Sequence, residues 1–440
     1  ILSNPQVFSA GFAIRNQSAS AVGTALSSNA TNTNDASGIF SNPAIMSQFK
    51  SQSFTLGVNT TMTNIDVKNG KAFYVTKSEA VKTLCHTLEG CDQTTIQSDN
   101  TQEGTGNSSQ TAYIPSFNYV LPLTEDLHFG ISYAVPWANK TNYKKSWLGR
   151  YYAIKTELVT HNFSLLSSYR IDESLSFGLG LSVQMAEGSL TSAVDWALYG
   201  LKVGLRTNKS WKEVDVEGIF EGKSTDFGYI AGVSFKPNEQ LMLGLSFRSS
   251  IEQNAEGKFK TCPIDEGAKF YSSSMNCSGS DASLKVTTPS VLALGLSYSG
   301  LKDFNLYGNI TYTKWDVVKD LVIKQNGQAL STTLLNYKNS FYYAAGLEYQ
   351  LDTEMKLRSG LAFEQGVAKN EYRSPRTPDN DRTIVALGFG YHSQSYKIDL
   401  GYAHYMFKDG TLGLRDPGEE SFNAGRGNFD ADVKVKADVF

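Results

Sequence analysis

From about Gln52 to the end, the sequence alternates between apolar and small or polar residues, interrupted in turn by short turns and long polar loops. In one run the apolar set is Leu175, Phe177, Leu179, Leu181 and Val183, with Ser176, Gly178, Gly180, Ser182 and Gln184 between them. The pattern returns in Leu241, Leu243, Leu245 and Phe247, in Leu292, Leu294, Leu296 and Tyr298, and in Val385, Leu387, Phe389 and Tyr391. There the other face carries Gly244, Ser246, Arg248, Gly295, Ser297, Gly388 and Gly390. Residues two apart share one face of a strand, so the chain reads as strands with one greasy face. Helical spacing is nearly absent, and no stretch reaches the roughly 18 consecutive apolar residues of a membrane helix. A transmembrane barrel escapes that search, because only alternate residues meet lipid. A soluble sandwich alternates in the same way, so the period alone leaves both open.

Three further features favour the barrel. Arg170 to Ser174, Lys236 to Gln240, Gly300 to Phe304, Leu351 to Glu354 and Ser393 to Tyr396 read as tight turns. Long loops lie between them at 69–109, 138–153, 199–224, 256–283, 324–338, 366–380 and 408–429. Short turns at one rim and long loops at the other is an outer-membrane layout. The strand segments fall near 52–68, 110–121, 127–137, 154–170, 174–198, 225–236, 240–255, 284–299, 303–323, 339–351, 354–365, 381–393, 396–407 and 430–440. They make fourteen, and such barrels take an even number. Aromatic residues fall near strand ends: Tyr169, Phe235, Tyr298, Tyr349 and Tyr391 on the short-turn side, Trp137, Trp147 and Trp315 on the other. Girdles at two lipid interfaces would look this way, although strands are in any case rich in aromatics.

Composition agrees: Tyr 23, Phe 24 and Gly 38 stand against Pro 11 and His 5. Forty basic and 43 acidic residues give a net charge of -3, without the positive field a nucleic acid needs. Four cysteines fall as two close pairs in polar segments, Cys85 with Cys91 and Cys262 with Cys277. They read as two local disulfides in an oxidising compartment. The rival, a zinc site of four thiolates, lacks the usual two-to-four residue ligand spacing.

Residues 10–50 carry Ser, Asn, Ala and short apolar clusters without strand period, and read as a plug packed inside the barrel. The chain thus divides into residues 1–9, a hatch at 10–50 and a barrel at 51–440. No catalytic constellation emerges: His86, His128, His161, His392 and His404 are scattered, and neither a phosphate loop nor a G-x-S-x-G elbow is present. No metal site or cofactor is expected.

Several segments are similar to those of one family. AGFAIRNQSASAVGTALSS at 10–28, NDASGIFSNPAIM at 34–46, WLGRYYA at 147–153, LSFGLG at 175–180, LSFRS at 245–249 and PDNDR at 378–382 resemble, in order, the long-chain fatty-acid transporters of the FadL family. The resemblance implies an all-β fold: a fourteen-stranded antiparallel transmembrane β-barrel with a small N-terminal hatch inside the lumen, carrying the motif Asn42, Pro43, Ala44. It implies an outer-membrane protein of a Gram-negative bacterium. Substrate would be captured outside, enter a hydrophobic pocket and leave sideways through a wall opening beside a kinked strand. Family members begin at the residues matching Ala10, Gly11 and Phe12, and Val7-Phe8-Ser9 looks like a signal-peptidase site, so residues 1–9 read as a signal-peptide remnant or an extension. The family also runs half a strand beyond Phe440, which implies a truncated last strand and incomplete closure here.

A fatty acid needs an apolar slot and one cation at its mouth. Phe12, Ile14, Val22, Leu26, Ile39, Phe40, Ile45 and Met46 are the candidate lining, with ordinary hatch packing as the plainer account of each. In the family, basic residues near the outer ends of the fifth and ninth strands hold the carboxylate. Here those places read Ser192 and Val322, with Lys319 and Lys324 as nearby substitutes, or else solvated loop charges. That loss tilts the reading toward neutral hydrocarbons without excluding fatty acids. Arg150 and Arg382 are expected to face inward and pair with acids such as Glu187, Asp195, Glu348 or Glu364. Pro136 removes a ladder donor and marks the expected kink.

The function expected is passive uptake of long-chain fatty acids or other hydrophobic small molecules by a monomer embedded in outer-membrane lipid, with no enzymatic activity. Two alternatives are a surface adhesin whose disulfide-closed loops bind a host protein, and an open polar porin.

Overall fold

The computed structural model describes residues 11–73, 105–194, 215–264, 277–415 and 426–440. Fourteen antiparallel strands close into one barrel. In chain order they are Ser53–Phe73, Gly106–Pro122, Leu127–Ala134 continued by Ala138–Asn142, Lys155–Arg170, Leu175–Val194, Val216–Asn238, and Leu241–Arg248 continued by Ile251–Pro263. The eighth is Ser280–Thr288 with Val291–Leu301, and the ninth Phe304–Thr313 with Asp320–Gln325. Gln328–Leu334 then leads into the tenth, Ser340–Gln350. The last four are Met355–Glu364, Arg382–His392, Lys397–Phe407 with Gly410–Leu414, and Asn428–Val439. Each pairs with its sequence neighbour. The last pairs with the first from Thr61↔Val439 to Phe73↔Asn428, so the sheet is closed along that stretch rather than left open.

Alternation translates directly into facing. In the fifth strand Leu179 and Leu181 are 66% and 74% exposed, while Ser176, Ser182 and Gln184 are buried. Leu56, Leu165, Phe227, Leu387 and Leu400 are exposed in the same way on other strands, forming an apolar outer surface far larger than a soluble monomer carries. Hydrocarbon is the solvent that such a face requires.

All five expected tight turns are present between strands. Three share one device: Asp172, Asn238 and Asp352 each accept two backbone N–H groups from the residues two and three positions on, at 2.7–2.9 Å. Such short side chains fold the chain back on itself without a ladder partner.

Several expectations are corrected: Ala138–Asn142, Gln328–Leu334 and Gly410–Leu414, read as parts of loops, are strand. Segments 216–224 and 256–263, also read as loop, are strand: Val216↔Pro263 through Lys223↔Glu256 pair in register. Beyond the apolar band both faces are polar, so the alternation disappears although the ladder continues, studded with cross-strand ion pairs such as Lys260–Glu221 at 2.7 Å and Lys285–Glu252 at 2.6 Å. Trp137, Trp147 and Trp315, expected in the outer lipid girdle, are buried inside at 3%, 1% and 0% exposure. Phe341 and Phe363 face outward near the loop ends of their strands instead.

Residues 11–50 occupy the lumen as the resemblance implies, in one short α-helix, Ala19–Val22, and three short 3₁₀ helices, Asn29–Thr31, Ala36–Phe40 and Pro43–Gln48. The bond Cys262–Cys277 joins the seventh strand to the segment before the eighth, with Cα atoms 4.8 Å apart. Cys85, Cys91 and residues 1–10 lie outside the described residues.

Candidate functional site

The hatch is seated by its Asn-Pro-Ala motif. The Asn42 side chain accepts from the Ala44 N–H at 3.1 Å, donates to the Ala30 carbonyl at 3.0 Å and donates to the Val233 carbonyl of the sixth strand at 3.1 Å. Pro43 opens the helical turn, where its fixed φ fits and a missing N–H costs nothing. The wall is shaped to receive it: a Cβ on Gly178 would stand 2.4 Å from the Ala44 nitrogen, and one on Gly232 only 2.0 Å from Asn42 Oδ1. Gly178, Gly244 and Gly388 are thus places where hatch backbone comes up against the barrel wall.

The third strand breaks where Pro136 stands. Its first half pairs with the second strand only as far as Phe117↔Tyr133, whereas both halves remain on the fourth strand. The wall beside Val135–Trp137 therefore lacks a neighbour on one side. Hatch residues take that place. The Ile14 N–H donates to the Pro136 carbonyl at 2.7 Å, the Ala138 N–H donates to the Phe12 carbonyl at 2.9 Å, and Ala13 forms an antiparallel bridge with Trp137. Gln17 Nε2 donates to the Val135 carbonyl at 2.8 Å and its Oε1 accepts from the Val135 N–H. Gln17 also holds the second strand, since Ser116 Oγ donates to its carbonyl at 3.1 Å. Ile14, Ala112, Ile114, Val135, Ala138 and Val159 make this seam apolar.

Next to the break lies an internal cavity of about 80 Å³. It is bordered by Ala13, Ile14, Arg15, Leu26 and Phe40 of the hatch, by Pro136 and Trp137 of the break, and by Arg248, Val291, Asn309 and Tyr342 from other strands. Three of the eight hatch residues singled out in the sequence, Ile14, Leu26 and Phe40, therefore reach it. The others are buried against the wall: Phe12 against Trp137 and Trp315, Val22 beside Ala386 and Ala403, and Ile39, Ile45 and Met46 among Val120, Leu166 and Ile230. The volume falls below the roughly 300–1,000 Å³ of an ordinary ligand pocket. Larger furrows, of about 590 and 810 Å³, lie among outward leucines such as Leu179, Leu181, Leu294 and Leu361.

Charges in the lumen are mostly matched. Glu364 accepts from Arg15 at 3.0 Å and pairs with Arg382 at 3.2 Å, and Arg382 also meets Asp379 at 3.0 Å. Glu348 pairs with Arg358 at 2.7 Å and Lys356 at 3.0 Å. The expected inward arginines are thus present, but Arg150 takes Asp215, at 2.9 Å, rather than one of the acids named from the sequence. Glu187 pairs with Lys223 near the outer rim, and Asp195 lies outside the described residues. Lys319 and Lys324 are exposed and do not border the cavity. Arg248 does; its inward phase is legible in the sequence, but its lack of an acidic partner is not.

The outer mouth is also filled. Tyr143 donates to the Pro375 carbonyl at 2.9 Å and stacks on Trp147 at 4.2 Å. Arg376 reaches the carbonyls of Lys155 and Thr191 and the Thr156 hydroxyl. Burial, and then the charge of Arg426, lower the pKa of Arg376 from its usual value. A lumen occupied by a hatch and two inward segments is not an open polar channel.

The sequence profile described as outer membrane protein transport protein (OMPP1/FadL/TodX) matches residues 2–440. Outer membrane protein P1 of Haemophilus influenzae is 26% identical, over 91% of this chain and 86% of that protein. A long-chain fatty acid transport protein of Escherichia coli is 24% identical, over 92% and 88%. Among solved structures, a Pseudomonas aeruginosa FadL homologue superposes with a TM-score of 0.83 at 23% identity, covering 98% of both chains. The Pseudomonas putida toluene transporter TodX superposes at 0.60 with 14% identity, covering 98% of this chain and 99% of its own. At such identities the structural matches speak for the fold alone.

Proposed function

The chain belongs to the OMPP1/FadL/TodX family of outer-membrane transport proteins, and from that premise we propose that it takes up long-chain fatty acids passively, through the cavity beside the hatch and out through the break in the third strand. It is a β-barrel of the Gram-negative outer membrane and a transporter of hydrophobic compounds. One observation carries the finer reading: a short hatch segment, Phe12–Gln17, both borders the apolar cavity and fills the gap left by the second strand. A ligand that enlarges the cavity must displace that segment, and the same displacement opens the wall toward lipid. Passage down a concentration gradient needs no energy source, and each methylene that leaves water for the cavity favours capture by about 0.8 kcal/mol. One chain closes the barrel, so a monomer suffices. The loop side faces outward and the outward leucines meet membrane lipid.

Uptake of radiolabelled oleate by cells lacking their own fatty-acid transporter and expressing this chain tests the proposal. Uptake above the empty-vector level supports it, and uptake equal to that level contradicts it. Neutral hydrocarbons are the second reading, favoured by Ser192 and Val322 standing where the family carries basic residues.

A further inference from the structure

We propose that Arg248, on the seventh strand, is the residue that receives the carboxylate of an acidic hydrophobic ligand in this cavity. The inference rests on the reading of the cavity as the ligand pocket. Arg248 belongs to the inward face of its strand and stands at the point where that strand breaks, between Leu241–Arg248 and Ile251–Pro263. Its side chain borders the cavity together with Ile14, Leu26 and Phe40.

Of the two arginines that border the cavity, Arg15 has Glu364 as a counter-ion and Arg248 has none among the described residues. Arg15, Arg358 and Arg382 each meet a carboxylate at 2.5–3.2 Å. Arg376 has no acid either, but its fork is spent on three oxygens of the fourth and fifth strands. Among the described residues no acidic side chain pairs with Arg248. Its Nη2 donates to the Phe40 carbonyl at 2.6 Å, and its guanidinium lies 4.2 Å from the centre of the Phe40 ring. A guanidinium has five N–H donors in a planar fork, and a carboxylate takes two of them side by side. An isolated cation in a low-dielectric lumen is costly, so an anionic ligand gains there what water would otherwise supply.

The contact with Phe40 gives the ligand a route to the hatch. Phe40 closes the short 3₁₀ helix Ala36–Phe40, just before the Asn-Pro-Ala seat. A carboxylate that draws Arg248 away from the Phe40 carbonyl removes a tie between the hatch and the seventh strand. The apolar tail then has Ile14, Leu26 and Pro136 along the same cavity.

Equilibrium binding of oleate and of oleyl alcohol to the full chain in detergent separates charge recognition from tail burial. Wild-type protein is expected to bind oleate more tightly than the alcohol. Arg248→Met should lower oleate affinity about tenfold or more and leave alcohol affinity unchanged, while Arg248→Lys should restore part of the preference. Circular dichroism checks that each barrel is folded. Unchanged oleate binding in Arg248→Met overturns the proposal, as does an equal loss of both ligands, which would mark a purely structural arginine. Failure of both ligands to bind wild-type protein would overturn the pocket reading itself, and with it the role of Arg248.

Discussion

The side-chain amide of Gln17 makes to Val135 the two hydrogen bonds that an adjacent strand would make, donating to its carbonyl at 2.8 Å and accepting from its N–H at 3.4 Å. The hatch thereby completes the wall at the one seam where the second and third strands part. Gln17→Leu keeps the bulk and removes both bonds, leaving two buried backbone groups unpaired at a cost of roughly 2 kcal/mol. Amide hydrogen exchange at Val135 should quicken, with exchange in the fifth strand unchanged. Equal protection of Val135 in both proteins would show that the amide does not hold the seam.

Pro136 is expected to matter for passage more than for capture. Pro136→Val restores a backbone donor and a residue suited to strands, so the third strand can extend along the second. Oleate binding to purified protein should persist while uptake by cells falls several-fold. Loss of both together, or of neither, would argue against an exit at this break.

The seat of the hatch predicts a separable stability effect. Gly178→Val would press a side chain into the Ala44 nitrogen, and overpacking of this kind costs about 1–3 kcal/mol. Asn42→Ala removes a helix cap and two further bonds, for roughly 2–3 kcal/mol. Each substitution should expose residues 11–50 to protease while the barrel keeps its folded gel mobility. Barrels that unfold together with the hatch would contradict this independence.

Much of this architecture was legible because a barrel wall obeys a period of two. Leu179 and Leu181 face lipid for the same reason that Gly178 and Gly180 face the lumen, and the fourteen strands follow in order. The tryptophans were misplaced because alternation describes regular strand only. Trp137 sits in the break and turns inward to meet Phe12 and Trp315, with ring centres 5.8 and 5.6 Å away. Strand ends beyond the membrane escaped notice because polar residues on both faces carry no period. The roles of Gln17 and Arg248 depend on what stands opposite each in three dimensions, across 118 and 208 residues of sequence, and no local pattern records that.

The bond Cys262–Cys277 closes a 15-residue separation, worth about 3 kcal/mol to that segment in the chain-entropy picture. Reduction should speed proteolysis of this segment and leave oleate uptake intact, since neither cysteine borders the cavity or the apolar seam at the third-strand break. A fall in uptake on reduction of wild-type protein would tie this loop to transport.

The central claim is that Phe12–Gln17 must leave the third strand for substrate to pass. Ala13 and Trp137 face each other in an antiparallel bridge, a pairing within reach of a disulfide. The double variant Ala13→Cys, Trp137→Cys locks the hatch to the break when oxidised, and wild-type protein treated with the same reductant controls for the native bond. Oleate uptake should be blocked in the oxidised variant and return on reduction; uptake at the reduced rate with the hatch covalently fixed would contradict the account.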